Sequence, residues 1–511
     1  MEGEKKFLEK IACGEKDPAK VVDRVYDRFL EDDIDDIVDG GELKHAEFFY
    51  SEFKDDIKVV DSHGGYVFNN STNLYERQTI PFIIHMICTY LDTNIVNLFK
   101  DLVSQQKKTE QCSKLMKALK TVRKASHAKA VFELCQGRLY DPSFESKLDK
   151  ISNLLPIRSN SVIDLKTLKV RKRTRDDMFS FELNVDFLEN YDDEDSPNYI
   201  PHAKKFFSQV FKGDNQVVKY AQKVFGYCIT GETSERAIYI IYGEGSNAKS
   251  ATFELIKNAI GQFYKPVDRK VMIKDDKVSS SHTAHLIQLM KARLATYSES
   301  DDGESLNMTL LKHLRGEEEI SARRLYGEQF TFLPHSKYCI LTNYKPTFNI
   351  TDQASIDTIR YIPFEARFVP NPDKKKGEYL KDPQVVENLK TIYLDEIFTW
   401  LCIGAYEAYK EIKEKKKIEI PQTLQTKTTK YIDELDITKQ FIDNNCIVGN
   451  DAKEDRSSLY TAFNSWAIDN GMNVIKRKDF YIRVRKLGYE ELKSNGINYV
   501  VGLRSINKIE Q

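Results

Sequence analysis

Ala237–Tyr242 (AIYIIY) runs directly into Gly243–Ser250 (GEGSNAKS), and Thr252–Ile260 (TFELIKNAI) follows. An unbroken apolar run of strand length suits a strand buried on both faces, as in a parallel sheet. The apolar spacing after the loop is helical. The octet follows G-x-x-x-x-G-K-[ST] except at Ala248, and that pattern between a strand and a helix has a physical reading. Backbone N–H groups of the loop and helix N-terminus point at phosphates. The Lys249 ammonium sets a charge against the β- and γ-phosphates, and the Ser250 hydroxyl ligates Mg²⁺. The expectation is a nucleotide site over Gly243, Glu244, Gly245, Ser246, Asn247, Ala248, Lys249, Ser250 and Ala251, with ATP and Mg²⁺ as cofactors. Alanine resists positive φ, so the loop at Ala248 is expected to use an angle open to alanine.

Two more strand-like runs follow, Arg293–Ser298 (RLATYS) and Tyr338–Thr342 (YCILT). Strands alternating with helices imply a parallel α/β sheet. Glu299, Asp301 and Asp302 come after the first run. A carboxylate at a strand's C-terminal end lies beside the phosphate loop, where it orders Mg²⁺ or polarises the attacking water. Glu299 is the expected catalytic acid and, with Ser250, the expected metal ligand. Asn343 ends the second run, where it can orient water near the γ-phosphate; a plain turn former is the bland alternative.

Elsewhere the 511 residues are 41% hydrophobic and 30% charged, with a formal net charge of −1, as in an ordinary soluble globular chain. A nucleic-acid surface must then be a local patch offset by acid elsewhere, as in Glu31–Asp36 and Asp192–Asp195. Eight scattered cysteines make no CxxC or CxxH pair, which argues against structural zinc and for a reducing compartment. The charged MEGEKKFLEK start is unlike a signal peptide, and the absence of 18 consecutive apolar residues leaves no expected membrane span.

These residues resemble, from roughly 150 to 510, a superfamily 3 helicase of the poxvirus-type primase–helicase family. The run Leu154-Leu-Pro156 to Leu165 is similar to the text that precedes the motor in that family, and Phe225-Gly226-Tyr227 to Gly231 to its G-Y-x-x-T-G. Gly243–Ser250 resembles G-x-G-x-N-G-K-S, with Asn247 retained. Glu299 matches the Walker B acid. Lys312, Gly316, Glu318, Arg323, Leu325 and Tyr326 resemble K-x-x-T-G-x-D…A-R-x-L-Y, which leads into a DNA-contacting hairpin. Thr342-Asn343 and Pro346 match a sensor run, and Ile362-Pro-Phe364 with Phe368 matches I-P-F-x-x-x-F. The Arg-Arg pair usual before I-P-F is replaced by Asp357 and Thr358, which leaves Arg360 as the local candidate for an arginine finger. Neither a primase carboxylate set nor an H-x-H nuclease motif is found, so a helicase without primase or nicking activity is expected.

The run between Arg323 and Lys337 has hairpin character; Arg323, Arg324 and Lys337 in it, with Lys312 of the preceding motif, are the expected DNA contacts, and Phe330 and Phe332 are expected as core. Near the C-terminus, helical spacing sets Phe480, Val484 and Leu487 on one side and Lys478, Arg485 and Lys486 on the other. A hairpin around Asn495-Gly496 follows, so a winged helix is expected with those three cations on DNA. The expected domains are an acidic helical segment (1–57), a hairpin plus helical pre-motor domain (58–230), an AAA+-like P-loop ATPase motor with a parallel sheet (231–410), a linker (411–435) and a winged-helix-like unit (436–511). The resemblance implies an ATP-driven DNA helicase acting on single-stranded and forked DNA. It implies a homo-oligomer, a hexameric ring, beside a separate primase or polymerase, without membrane association. The expected place is the cytoplasm or a viral replication compartment. The alternatives are a P-loop ATPase for DNA packaging or partition, and an origin-binding ATP switch.

Overall fold

The computed structural model describes residues 29, 34–105, 109–274, 286–298, 304–316, 318–323, 329–348, 350, 352–472 and 474–506. Its Cα packing divides the chain into two units, residues 1–164 with 169–186, and residues 165–168 with 187–511. The division falls near 186 because helix Asn215–Cys228, read from sequence as pre-motor, packs on helix Leu394–Lys415 inside the second unit.

In the first unit an antiparallel sheet joins β1 (Ile57–Asp61), β2 (Gly64–Asn69) and β3 (Leu74–Thr79). Gly64 and Gly65 lie inside β2 and not at a turn. A Cβ there would sit 2.2 Å from the Gln78 carbonyl oxygen or 2.3 Å from that of Lys58, so the glycines serve close backbone approach. The turn falls at Ser62-His63, closed by Asp61 Oδ1, which accepts from the N–H of His63 at 2.8 Å and of Gly64 at 2.9 Å. A second antiparallel sheet holds β4 (Leu154–Ile157), β5 (Ser161–Asp164) and β6 (Lys169–Lys172).

The helical part centres on Ile80–Ser104, capped by Thr79 and opened by Pro81. By length and composition this helix could cross a bilayer, which a search for uninterrupted apolar residues does not find. Here its stripe from Phe82 to Leu102 is buried with Phe49, Phe53 and Val131. Residues 34–57, part of the segment expected to stand apart, instead join this unit: helix Gly41–Phe53 supplies part of that core.

His45 and His127 are buried in the same core, 2.8 Å apart from Nδ1 to Nε2, and His45 Nε2 lies 2.9 Å from the Ile37 carbonyl oxygen. With Nε2–H donating to Ile37, His45 Nδ1 accepts from His127. Burial first, and the His127 ring second, depress the His45 pKa to about 4. Glu42 lies 3.3 Å from His127 Nδ1 on the exposed side.

The second unit is built on a five-stranded parallel sheet: β7 (Ile238–Tyr242), β8 (Tyr264–Pro266), β9 (Leu294–Ser298), β12 (Lys337–Thr342) and β13 (Ile359–Pro363), in the order β13-β7-β12-β9-β8. The chain is thus mixed α/β with a parallel sheet. An antiparallel hairpin, β10 (Ile320–Arg323) with β11 (Gln329–Phe332), precedes β12. Residues 411–435, expected as a linker, are mostly helical. Helix Gln422–Leu435 turns Tyr431 onto Tyr361 of β13, centroids 5.0 Å apart, with its hydroxyl donating to the Pro346 carbonyl.

The C-terminal part runs helix Ile437–Asn445, strand Cys446–Asp455, helices Arg456–Asp469 and Arg477–Lys486, and strands Glu491–Ser494 and Ile497–Ser505. The last strand lies centrally, antiparallel to the other two. Phe441, Leu459, Phe463, Phe480, Val484 and Leu503 form its core.

A buried neutral imidazole ties stability to pH. The unfolded chain binds a proton on His45 near its ordinary pKa, whereas the folded chain does so only near 4. The contribution is present above the unfolded value and is lost as pH falls toward 4, by roughly 3 kcal/mol. Urea unfolding of wild type should weaken by that much more than His45→Gln between pH 6.5 and 4, with hydrogen exchange rising first in Gly41–Phe53 and Ala125–Leu139. Equal pH slopes in the two proteins would refute the account.

Candidate functional site

Tyr242 ends β7 level with Thr342 of β12 on one side and Pro363 of β13 on the other. Three segments therefore leave one end of the sheet together: the loop 243–248, Asn343 and Phe364. Backbone bonds tie them, from Gly243 N–H to Thr342 O at 3.2 Å, from Phe364 N–H to Tyr242 O at 2.7 Å, and from Phe368 N–H to Ser246 O at 2.8 Å. A Cβ on Gly243 would lie 2.9 Å from the Phe364 oxygen and 2.8 Å from Asn247 Oδ1. Inside the loop, Asn247 Oδ1 accepts from the Gly245 N–H at 2.7 Å.

Ala248 corrects the sequence reading: it takes φ 62, ψ 17, the left-handed region. The loop has to turn there for Lys249 to open helix Lys249–Ile260, and the Ala248 carbonyl already accepts from Thr252 N–H at 2.9 Å. The angle costs an alanine about 1–2 kcal/mol, and the ties on either side of it hold the turn in place.

Lys249 is the hub. Its Nζ donates to the Gly243 carbonyl, to Asn343 Oδ1 at 2.7 Å and to Asn247 Oδ1 at 3.4 Å. All three acceptors are neutral, and among the described residues no carboxylate pairs with it. Burial alone lowers its pKa. Ser250 is exposed in the first helical turn. Ser298 ends β9 level with Leu341, at the same end of the sheet. Glu299, Asp301 and Asp302 lie outside the described residues. Beside the loop is a cavity of about 590 Å³, walled by Tyr242, Tyr361, Phe364, Glu365 and Arg367 as well as by Gly243–Asn247.

Residues 46–212 match the family described as D5 N terminal like. The chain is 26% identical over 383 residues to "Putative helicase L207/L206" of Acanthamoeba polyphaga mimivirus, which covers 73% of this chain and 39% of that protein. It is 24% identical over 381 residues to "Putative helicase 121R" of Invertebrate iridescent virus 3, covering 70% and 39%. It is 22% identical over 199 residues to "Primase D5" of Fowlpox virus, covering 37% and 24%. The matched domain and the names of these viral relatives support a likeness to the poxvirus-type primase–helicase family. The chain spans about two fifths of the length of the first two relatives. Among solved structures, the C-terminal region of NrS-1 aligns over 90% of the chain at 11% identity with a TM-score of 0.43, too loose a likeness to carry an argument.

The other expected site residues are scattered. Arg360 is not at the loop. It lies in register with Tyr239, and its guanidinium turns back to the Asp357 carbonyl at 2.7 Å and to Glu235 at 3.3 Å. Lys337 is a correction: expected on DNA, it is buried at 3% exposure, donating to the carbonyls of Thr230 and His335. Burial takes its pKa down to about 7. As the first residue of the central strand β12 it points under the C-terminal end of helix Asn215–Cys228, where its amine caps carbonyls. Lys312 is half-buried and paired with Asp352. Arg323 lies in β10, but its side chain, the side chain of Phe330 and all of Arg324 are outside the described residues; Phe332 is buried.

Lys478, Arg485 and Lys486 are exposed on helix Arg477–Lys486, while Phe480 and Val484 are buried. Arg483 of the same helix is internal, ion-paired with Asp436 at 2.6 Å and donating to the Ile350 carbonyl at 2.6 Å. Arg367, on the rim of the cavity and largely exposed, was passed over in sequence because it fills an unspecified position of I-P-F-x-x-x-F.

The strain at Ala248 is testable. Ala248→Gly should raise unfolding free energy by about 0.5–1 kcal/mol, strain relief less the added freedom of the unfolded chain. A lower thermal midpoint than wild type would contradict a strained turn.

Proposed function

We propose that the second unit is an AAA+-like P-loop motor that hydrolyses ATP, and that the chain works as a superfamily 3 DNA helicase or translocase at a viral or mobile-element replication fork. The observation that carries this reading is the Lys249 ammonium, half-buried against three neutral oxygens, at the mouth of a glycine-bearing loop. Such a cation gains most from an anion delivered to it, and the loop fits a polyphosphate. The sheet order supports the reading, since the loop-bearing strand is flanked on both sides by parallel strands that end level with it. The names of the viral relatives support it as well.

On this reading the phosphates displace Gly243 and Asn343 from the Lys249 ammonium. Asn343 is thereby released to hold the attacking water, so that binding itself readies the group hydrolysis needs. Ser250 and Glu299 would hold Mg²⁺, which supplies charge neutralisation on the phosphates. Sites of this type are completed by a neighbour's arginine, so subunits pack head-to-tail and close into a ring, here a hexamer. A separate primase or polymerase would share the fork, in the cytoplasm or a viral replication compartment, away from membranes.

The C-terminal part has the element order of a winged helix, helix–strand–helix–helix–hairpin, with helix Arg477–Lys486 as the reading helix. Its apolar stripe is buried and its three cations face solvent, the division a phosphate-binding helix requires.

Lys249→Ala should lower ATPase by at least about 100-fold; turnover within threefold of wild type would falsify the loop assignment. For the tail, combining Lys478→Ala, Arg485→Ala and Lys486→Ala in the full chain should weaken forked-DNA binding and flatten its log–log salt slope by up to about 0.9 per lost contact. A slope equal to wild type would leave this part as a structural cap.

A further inference from the structure

Residues 109–129 hold six lysines and arginines against one carboxylate, Glu110, in a chain whose net charge is −1. They form helix Thr109–Val122, a two-residue turn and the start of helix Ala125–Leu139. Leu115, Ala118 and Val122 of the first helix are buried in the core of the first unit. At about 100° per residue, Lys117 and Lys120 fall within roughly 60° of each other, on the side opposite those three. Lys124 follows in the turn. Lys129 comes about one turn into the next helix, where His127, Ala128 and Val131 are buried. All four lysines are exposed.

The neighbouring carboxylates leave these four alone. Asp35 takes Lys114 at 3.5 Å, and Asp92 takes Arg123 at 2.5 Å. Glu110 and Glu133 are exposed and make no ion pair with the four among the described residues. Burial of the apolar side fixes the backbone, so the ammonium groups are carried on an ordered surface. A helix lying on a membrane would show an apolar face beside its cations; here that face is inside, and Met116 is the large apolar side chain left exposed in 109–129. No phenylalanine, tyrosine or tryptophan occurs in this stretch, and the His127 ring is buried. Cations without a stacking platform suit a dense row of phosphates better than unstacked bases.

We propose that Lys117, Lys120, Lys124 and Lys129 grip the sugar–phosphate backbone of a nucleic-acid duplex without reading its sequence. A duplex is favoured because it packs one charge into about 1.7 Å of axis, and each phosphate neutralised on it releases more counterion than on a single strand. The grip needs no nucleotide and lies outside both the loop and the tail helix, so it stands apart from the readings of those two.

Binding of the full chain to a blunt DNA duplex, followed across salt without nucleotide, tests the proposal. Lys117→Gln, Lys120→Gln and Lys124→Gln together keep helix propensity. They should weaken binding by about tenfold or more at low salt and flatten the log–log slope by up to about 0.9 per lost contact. Arginine at the same three positions should keep the wild-type slope. If the triple variant does not fold, Lys129→Gln on the next helix reads the loss of one contact. Affinity and slope equal to wild type overturn the proposal. Duplex binding that vanishes with Lys478→Ala, Arg485→Ala and Lys486→Ala, and is untouched by the glutamine variants, also overturns it and leaves the tail reading standing. The reverse pattern supports it and sinks the tail reading. A larger loss on single-stranded DNA than on the duplex overturns the preference for a duplex. Loss of binding to phosphatidylserine vesicles with duplex binding unchanged gives the surface to a membrane and overturns the proposal.

Discussion

The candidate site depends on register. Because β7 is hydrogen-bonded in parallel to both β12 and β13, Tyr242, Thr342 and Pro363 finish level. Parallel strands send their exits to one edge, so a loop, a sensor asparagine and an aromatic corner are gathered without any of them being close in sequence. The bond from Lys249 to Asn343 joins residues 94 positions apart. A slip of one residue in β12 would turn its side chains to the opposite face and carry Asn343 away from the ammonium. The buried apolar stretches of β7 and β12 hold that register, since every residue of β12 is buried.

Electrostatics differ at the two ends of this sheet. At the loop end the cation rests on neutral oxygens, a soft arrangement that an arriving phosphate can replace. At the other end cations are used internally. Lys337 and Arg293 donate to the carbonyls of Thr230 and Ile229, just past helix Asn215–Cys228, where a helix presents its negative end. Arg360 is bound to the buried Glu235, a carboxyl whose pKa burial raises even with the guanidinium beside it. Removing either partner would leave an uncompensated buried charge, which costs several kcal/mol. Basic residues close in sequence thus do opposite work: Arg483 clamps its helix to the Ile350 carbonyl and Asp436, while Arg485 and Lys486 are exposed, Arg485 donating to the Tyr481 carbonyl of its own helix.

Much of this was legible in the chain because the relevant forces are local. The apolar run at 237–242, the glycines after it and the helical spacing after those are set by neighbours within a few residues, and the strand, loop and helix lie there. The same holds for the hairpin of β10 and β11 and for the apolar and basic sides of Arg477–Lys486, where periodicity reports the burial of Phe480 and Val484. Local signals misled where a residue's partner is distant. Gly64-Gly65 looks like a turn, but the backbone oxygens of Lys58 and Gln78 exclude a side chain there. Lys337 looks like a surface cation, yet its amine lies under carbonyls about a hundred residues earlier.

The amino-acid sequence by itself determined the alternation of strands and helices, the place of the loop and the amphipathic tail helix, because propensity and periodicity act over a few residues. Only the tertiary structure decided which charges face solvent and where the units divide. Those outcomes depend on strand order and helix packing, which bring together groups that no local spacing connects. Ala248 shows the balance in one residue: its own preference is for negative φ, and the closure of the loop around Asn247 and Lys249 overrides it.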